Sequence, residues 1–383
     1  MRSLARPLFL KDHTERLLCP LPLGIDTYRG CAGGCAYCSL NGLRTEIKCG
    51  GEVSPNSVRY IEKFFYRHKT SMERQLIDQR CPVQLGVSSD PLQPAEREHR
   101  VTLRVLKILA DFEYPTVITT KFPDQLIEAD HLRELDAMPL VVQCSISSVD
   151  EALLGRIEPG APSLAQRLEA LRVLADAGAH VQLRLWPFAS DLCGDVARLL
   201  AMVKDTGVRT VLANPLKVYH AGGIRESINK AIGRDYLAAT SLRYENHGLF
   251  DVPCHKDLSR ELSQLRDLCR QFGLNLLNCD DCTGRNWQSC CGVDGLPDFE
   301  NIAKWAYFVN GYRITQYTDF ETYMRGHDCP WHDEFNQEWN KGKLSESIPE
   351  LIFHKEDKTY SRLERCAEIP EKAESSKADI LEL

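Results

Sequence analysis

The chain has 383 residues, 43% of them apolar, and a formal net charge of −7. That length and composition can bury one large core, or one core with an appendage, and the acidic balance excludes a chain-wide basic footprint for nucleic acid, leaving only a local patch to carry such contact. No apolar run approaches membrane-spanning length and the N-terminal "MRSLARPLFLKDHTER" is too poor in apolar residues for a signal peptide, so a cytoplasmic protein with no membrane partner is expected.

"CPLPLGIDT" (19–27) reads as a first strand, and it runs into "GCAGGCAYCSL" (30–40). There Cys31, Cys35 and Cys38 give the spacing C-x3-C-x2-C among Ala32, Gly33, Gly34 and Ala36. Side chains that small build no core, but they let the backbone wrap closely around something held among the sulfurs. Sixteen cysteines in a reducing compartment point to ligands, catalysts or small buried residues before disulfides.

Strand and helix patterns then alternate. "VQLGVSS" (83–89) reads as a strand, and Val101, Val105, Ile108, Leu109 and Phe112 form a stripe at helical spacing. "PTVITTK" (115–121), "PLVVQCSIS" (139–147), "HVQLRLWPF" (180–188) and "VRTVLANP" (208–215) read as further strands. Between them, "DQLIEADHLREL" (124–135), "SLAQRLEALRVLADAG" (163–178) and "DVARLLAMVKDTG" (195–207) read as helices. The strands are rich in Val, Ile and Leu without strict alternation, as parallel strands covered on both faces are. Six βα units predict an α/β fold, a partial (β/α)6 barrel with the cysteine loop at the catalytic end of strand one. A doubly wound open sheet is the alternative, but no convincing Gly-rich phosphate turn follows a strand.

Three readings compete for the loop cysteines. A structural zinc ion needs a fourth ligand, which Cys49 can supply. Three bland small residues within eight positions of a glycine loop is the weakest reading. The third is an iron–sulfur cluster held by three thiolates with one iron left open.

The motif C-x3-C-x2-C with Tyr37 before its last cysteine resembles the radical S-adenosylmethionine (SAM) superfamily. The longer stretches "YRGCAGGCAYC", "SSDPLQPAE", "TTK", "SIS" and "RIEPGAPSLAQRLEAL" are similar to its spore photoproduct lyase-like branch, over about residues 28–187. The resemblance implies a partial β/α barrel, a [4Fe-4S] cluster on Cys31, Cys35 and Cys38, and SAM chelated by the open iron. It further implies that Tyr37 lies beside the adenine, and that Ser89, Lys121 and Ser145 contact the methionyl or ribose groups. Glu158 and Arg167 match an element that contacts SAM or forms an ion pair steadying that face. Read as residues alone, Ser89 could instead cap the helix beginning near Pro94, and Lys121 could be an ordinary solvated lysine. Two departures stand out: spore photoproduct lyases carry a hydrogen-donating cysteine where this chain has Val87, and a tyrosine where it has Ser39.

After Pro215 the pattern changes. "NCDDCTGRNWQSCCG" (278–292) holds Cys279, Cys282, Cys290 and Cys291, with Cys254 and His255 before it and Cys329 and His332 after it. This is a candidate second metal site, an auxiliary iron–sulfur cluster or a zinc ion on Cys279, Cys282 and Cys291 with Cys254 or Cys329 completing the set. The expected organisation is a barrel core over 1–215, a Cys-rich cap over 216–366 carrying Trp287 and Trp305, and a polar tail over 367–383. The function expected is SAM cleavage followed by hydrogen abstraction, with a flavodoxin or ferredoxin as reductant. The substrate is a modified nucleobase or DNA thymine derivative on the resemblance, or a small molecule or peptide on the charge. A reading of another class is a non-catalytic iron–sulfur or zinc protein, which has no use for Tyr37, Ser89 and Lys121.

Overall fold

The computed structural model describes residues 9–12, 21, 23–38, 52–53, 57–66, 77, 80, 82–135, 138–246, 248, 250–278, 293 and 296. In chain order the main elements are β1 (Phe9–Asp12), β2 (Leu23–Ile25), α1 (Ser57–Tyr66), β3 (Val83–Leu85), α2 (Val101–Asp111), β4 (Thr116–Thr120) and α3 (Ala129–Leu135). They continue with β5 (Leu140–Ser145), α4 (Glu151–Ile157), α5 (Leu164–Asp176), β6 (His180–Phe188), α6 (Val196–Lys204), β7 (Thr210–Pro215), α7 (Ile224–Ile232), α8 (His255–Gln271) and β8 (Asn275–Asn278). The strands lie in the sheet in the order of the sequence. From β2 to β8 every neighbouring pair is parallel, and β1 is an antiparallel edge on β2. Parallel neighbours in sequential order, each reached through helices, give the expected β/α architecture of a partial barrel.

Strand period two divides the sheet into unlike faces. Val83, Leu85, Ile118, Val142, Cys144, Leu183 and Val211 point to one face, where Leu106, Leu109, Leu171, Leu174, Leu199 and Leu265 of the helices complete a single large core. The opposite face begins apolar, with Val117 and Val141 packed against Leu21, Val293 and Leu296. One row further along it becomes polar. Gln84 Nε2 donates to Thr119 Oγ1 at 2.9 Å, Thr119 Oγ1 to Gln143 Oε1 at 3.2 Å, and Gln143 Nε2 to Gln182 Oε1 at 3.1 Å. The sheet is therefore not apolar on both sides, as its Val- and Leu-rich runs suggested. Its inner wall carries a ladder of amides whose buried polar groups satisfy one another.

Local signals account for the element ends. Ser163 caps α5 in a reciprocal capping box with Gln166, and α5 stops two residues before Gly178, which has φ +88°. Two expected elements are shorter than the patterns suggested. The strand at 83 ends at Leu85, because Gly86 turns the chain at φ +86°. The helix expected over 124–135 divides into a 3₁₀ turn, Pro123–Gln125, and α3.

The sheet also continues past residue 215. After a three-stranded antiparallel sheet (Val218–Tyr219, Tyr244–Asn246 and Phe250–Pro253) and α8, the chain returns as β8 alongside β7. The first half of the segment expected to be a cap thus contributes to the core, through Leu262, Leu265 and Cys269 of α8. Among the described residues no helix is long and apolar enough to cross a membrane.

Gly86 permits the turn that delivers the following residues to the end of the sheet. A Cβ there would press into the Thr119 carbonyl oxygen and the Pro91 ring, at a φ that side chains avoid. Gly86→Ala is expected to destabilise the apoprotein by about 1–3 kcal/mol from the backbone conformation alone. Urea denaturation checks this as a lower midpoint at unchanged slope; an unchanged midpoint would contradict the turn's role.

Candidate active site

The carboxyl ends of β2 to β7 converge, and the cysteine loop lies at the end of β2. Cys31, Cys35 and Cys38 are all free thiols, half-buried in the loop. Cys31 and Cys35 flank Gly33: a Cβ on that glycine would lie 3.4 Å from the Cys31 Sγ and 3.6 Å from the Cys35 Sγ. The glycine keeps the space between the sulfurs clear. The Gly33 N–H donates to the Cys31 Sγ at 3.4 Å.

Two backbone contacts clamp the loop to the end of α4 and the residues that follow it. Ala36 N–H donates to the Ile157 carbonyl at 2.8 Å, and Gly160 N–H to the Gly33 carbonyl at 3.1 Å. A Cβ on Gly160 would overlap the Ala32 carbonyl oxygen and stand 3.0 Å from the Gly33 oxygen. The segment after α4 therefore packs backbone against backbone on the cysteine loop, an approach open only to glycine.

Between these clamps sits Glu158, its side chain fully buried. Arg167 Nη1 lies 2.6 Å from Oε2, an ion-pair distance, although the angle gives Oε2 no formal hydrogen bond. Ser147 Oγ donates to Oε1 at 2.7 Å, Tyr37 donates its hydroxyl to the same oxygen, and Lys121 Nζ stands 4.0 Å from it. Lys121 also lies over the Tyr37 ring, 5.6 Å from its centroid. Burial alone would push the Glu158 carboxyl up, but Lys121 and Arg167 outweigh it and hold the pKa below the ordinary value. Burial would lower the Lys121 ammonium, but Glu158 and then Cys35 hold it up. Burial, followed by the neighbouring Glu158, pushes the Tyr37 phenol well up.

A second network joins β2 to β4. Asp26 accepts the N–H groups of Val87, Ser88 and Ser89 at 3.0, 2.8 and 3.0 Å. Asp90 accepts the Thr120 hydroxyl and the Lys121 N–H, both at 2.7 Å. Ser89 is buried with its hydroxyl donated to the Tyr28 carbonyl at 2.7 Å, and the residue preceding the Ala95–His99 helix is Pro94, so Ser89 caps nothing. Ser145, also buried, offers its carbonyl to Arg167 Nη1 at 2.9 Å. The structure thus gathers Tyr37, Lys121, Glu158 and Arg167 in one contact network, ties Ser145 to it through Arg167, and sets Ser89 on the neighbouring turn. It also brings in Asp26, Asp90, Gln93 and Ser147, to which the sequence patterns assigned no role.

Cys31, Cys35 and Cys38 put three thiols on one loop, a donor set that an iron–sulfur cluster would take. A tetrahedral zinc with Zn–S bonds near 2.3 Å needs sulfurs about 3.8 Å apart. Among the described residues no three His, Cys, Asp or Glu side chains converge on a single-ion site. Burial first pushes the Cys35 thiol up, and Glu158, Cys31 and Cys38 add smaller contributions in the same direction. Burial first, and Asp90 second, pushes the Cys31 thiol up to about 11, so a bound cation is needed to hold it as thiolate near neutrality.

Cys254, expected as one ligand of the second centre, is buried at the start of α8, its N–H bonded to the Arg243 carbonyl at 2.7 Å. Cys279, Cys282, Cys290, Cys291, Cys329, Cys49, Ser39, Trp287 and Trp305 lie outside the described residues. Val87 is half-buried and turns its N–H to Asp26.

No protein-family model matches the chain, and no curated protein matches it. Solved structures do. A cysteine-to-alanine variant of spore photoproduct lyase superposes with a TM-score of 0.52 at 17% identity, covering 72% of this chain and 80% of that one. A double variant of the same enzyme, with bound AdoMet and dinucleoside spore photoproduct, gives 0.50 at 17% identity over the same shares. Streptococcus suis SuiB bound to S-adenosylmethionine gives 0.44 at 12% identity, over 71% of this chain and 53% of that one. At these identities the likeness is one of fold: the chain has the fold of spore photoproduct lyase.

Removing the Glu158 charge strands Arg167, which is wholly buried. Glu158→Gln is expected to cost about 3–5 kcal/mol at pH 7. Because the folded-state pKa of Glu158 is depressed, its ionic stabilisation is complete above the unfolded value of about 4.3 and fades as pH falls through the folded value. Urea midpoints of the two proteins should therefore draw together on acidification; a gap that stays constant would refute the ion-pair account.

Proposed function

We propose that the chain is a radical SAM enzyme. The observation carrying this reading is the three-thiol loop at the carboxyl end of the first parallel strand, faced by the Lys121–Glu158–Arg167 network. The fold shared with spore photoproduct lyase supports it. Cys31, Cys35 and Cys38 would hold a [4Fe-4S] cluster. When bound, such a cluster would supply the single electron for reductive cleavage of SAM, the chemistry that starts hydrogen abstraction from a substrate. The electron comes from a flavodoxin- or ferredoxin-class reductant in the cytoplasm.

The chain's own groups prepare the site. Lys121, held protonated beside Glu158, supplies positive charge where an anionic carboxylate would arrive. Tyr37, its hydroxyl fixed by Glu158, presents a ring of fixed orientation suited to lie against adenine. Ser89 follows β3 and Ser145 ends β5, one strand apart at the carboxyl edge of the sheet, within the region expected to hold the methionyl and ribose groups. The polar wall formed by Gln84, Thr119, Gln143 and Gln182 gives the interior fixed dipoles in place of mobile water.

Val87 bears no abstractable thiol hydrogen, so the proposal stops short of spore photoproduct repair. The substrate class is open between a nucleobase derivative, which the fold resemblance favours, and a small molecule or peptide, which the acidic charge favours. A second centre on Cys279, Cys282 and Cys291, with Cys254 or Cys329, is part of the proposal as an auxiliary iron–sulfur cluster or zinc. Its support is positional: Asn278, one residue before Cys279, ends a parallel strand on the same side of the sheet as the cysteine loop.

Two measurements bear on this. Anaerobically reconstituted protein should carry about four irons at the loop and release 5′-deoxyadenosine slowly from SAM, and Cys35→Ala should abolish the release. Release at the original rate from that variant would sink the radical SAM reading. Replacing Cys279 and Cys282 together with Ala should lower metal content while uncoupled SAM cleavage persists. Metal content equal to that of the intact chain would remove the second centre.

A further inference from the structure

The turn after β3 carries a glutamine that no sequence pattern singled out. Gln93 is wholly buried, and its carboxamide spans the cysteine loop. Its Oε1 accepts the Ala32 N–H at 2.8 Å, while its Nε2 donates to the Gly30 carbonyl at 3.0 Å and to the Asp90 carbonyl at 3.1 Å. The carbonyl before Cys31 and the N–H after it thus both face Gln93. A neighbouring β-strand would satisfy such a pair with one N–H and one C=O; here a single planar amide supplies both.

Few side chains can do this. The arrangement needs one donor and one acceptor fixed in a plane, at the reach of two methylenes. A glutamate turns acceptor against acceptor at Gly30, and an apolar isostere leaves all three backbone groups, at Gly30, Ala32 and Asp90, without this partner. The peptide that Gln93 holds at Ala32 leads directly into Gly33, whose N–H donates to the Cys31 Sγ. Hydrogen bonds to cluster sulfurs are among the levers that raise an iron–sulfur reduction potential.

We propose that Gln93 is a positioning residue for the cysteine loop: by clamping the peptides on both sides of Cys31 it fixes that sulfur and the Gly33 N–H directed at it, and so sets the reduction potential of the bound cluster. This rests on the cluster reading proposed above for the same cysteines. Gln93 touches neither substrate nor sulfur, and acts through the loop backbone.

The test compares the full-length intact chain with Gln93→Met and Gln93→Glu, each first as apoprotein and then after anaerobic reconstitution. In the apoproteins, mass-mapped alkylation by iodoacetamide should label Cys31 about tenfold faster in Gln93→Met, while buried Cys144 stays protected. In the reconstituted proteins, the variant should still take up iron, but its midpoint should move to more negative potential with an altered EPR signal from the reduced cluster. A tenfold change in the reduced-to-oxidised ratio corresponds to about 59 mV for a one-electron couple. Should Gln93→Met not fold, Gln93→Glu decides, since it keeps the acceptor for Ala32 and loses only the donor to Gly30 and Asp90. Intact-chain values for Cys31 labelling, potential and EPR in a folded variant would overturn the proposal. The alkylation arm needs no cluster, so a failure of the intact chain to bind iron counts against the radical SAM reading and leaves the role of Gln93 separately decided.

Discussion

A buried carboxylate fixes the geometry on which the rest of the site depends. Glu158 has no exposed side-chain surface, yet Lys121 and Arg167 keep it ionised against the desolvation that burial imposes. Its partners come from separate parts of the chain: Tyr37 from the cysteine loop, Lys121 from the end of β4, Ser147 from beyond β5, and Arg167 from the first turn of α5. A pair of this kind adds little net stability relative to well-packed apolar groups, because two ions had to leave water. What it does supply is intolerance of alternatives. Any packing that separates these segments leaves a charge in the core without its counterion. The next two residues, Pro159 and Gly160, then lie against the loop that carries the cysteines, so the fixed charge and the fixed thiols share one backbone.

The two faces of the sheet divide the work. The helix-covered face is a continuous apolar core and sets where each strand lies. The inner face gives up apolar burial across β3 to β6 for a row of side chains that hydrogen-bond across strands. Parallel pairing points all of these strands the same way, so the residues following each one meet at a single rim. Asp26, Ser89, Asp90, Lys121 and Ser145 come from different stretches of sequence and adjoin for that reason alone. Asp26 and Asp90 then act as collectors, each gathering donors from a turn that would otherwise bury unpaired N–H groups.

Much of this was legible in the sequence, and what was not has a common physical origin. Alternating βα patterns fixed the order of the strands, because apolar period and punctuation are local properties. The place of the cysteine loop was legible because the three cysteines follow directly on the first strand pattern. The amide ladder was not: Gln84, Gln143 and Gln182 sit singly within Val- and Leu-rich runs, and only the pairing of four strands brings them together. β8 was missed because it lies sixty residues beyond the last regular βα unit, among cysteines that drew attention to metal chemistry. Gln93 and Asp90 lie inside a stretch quoted for its resemblance, but a side chain that bonds backbone in a distant loop leaves no periodic trace.

The choice between a structural metal and a reactive centre turns on spacing and on neighbours. A structural ion is best served by four ligands closing on one point, shielded, with no charged group poised beside an open position. The loop offers three thiols, and among the described residues no further His, Cys, Asp or Glu closes with them on a metal site. Beside it stands an ammonium held between a carboxylate and an aromatic face. A purely structural knuckle gains nothing from that lysine, whose ordering carries desolvation and conformational cost. A centre that must receive a cosubstrate bearing a carboxylate and an aromatic base gains both charge and shape from it. The arrangement around Glu158 is therefore more economically explained as preparation for a ligand than as support for a metal, and this asymmetry weighs against the non-catalytic reading independently of any likeness in fold.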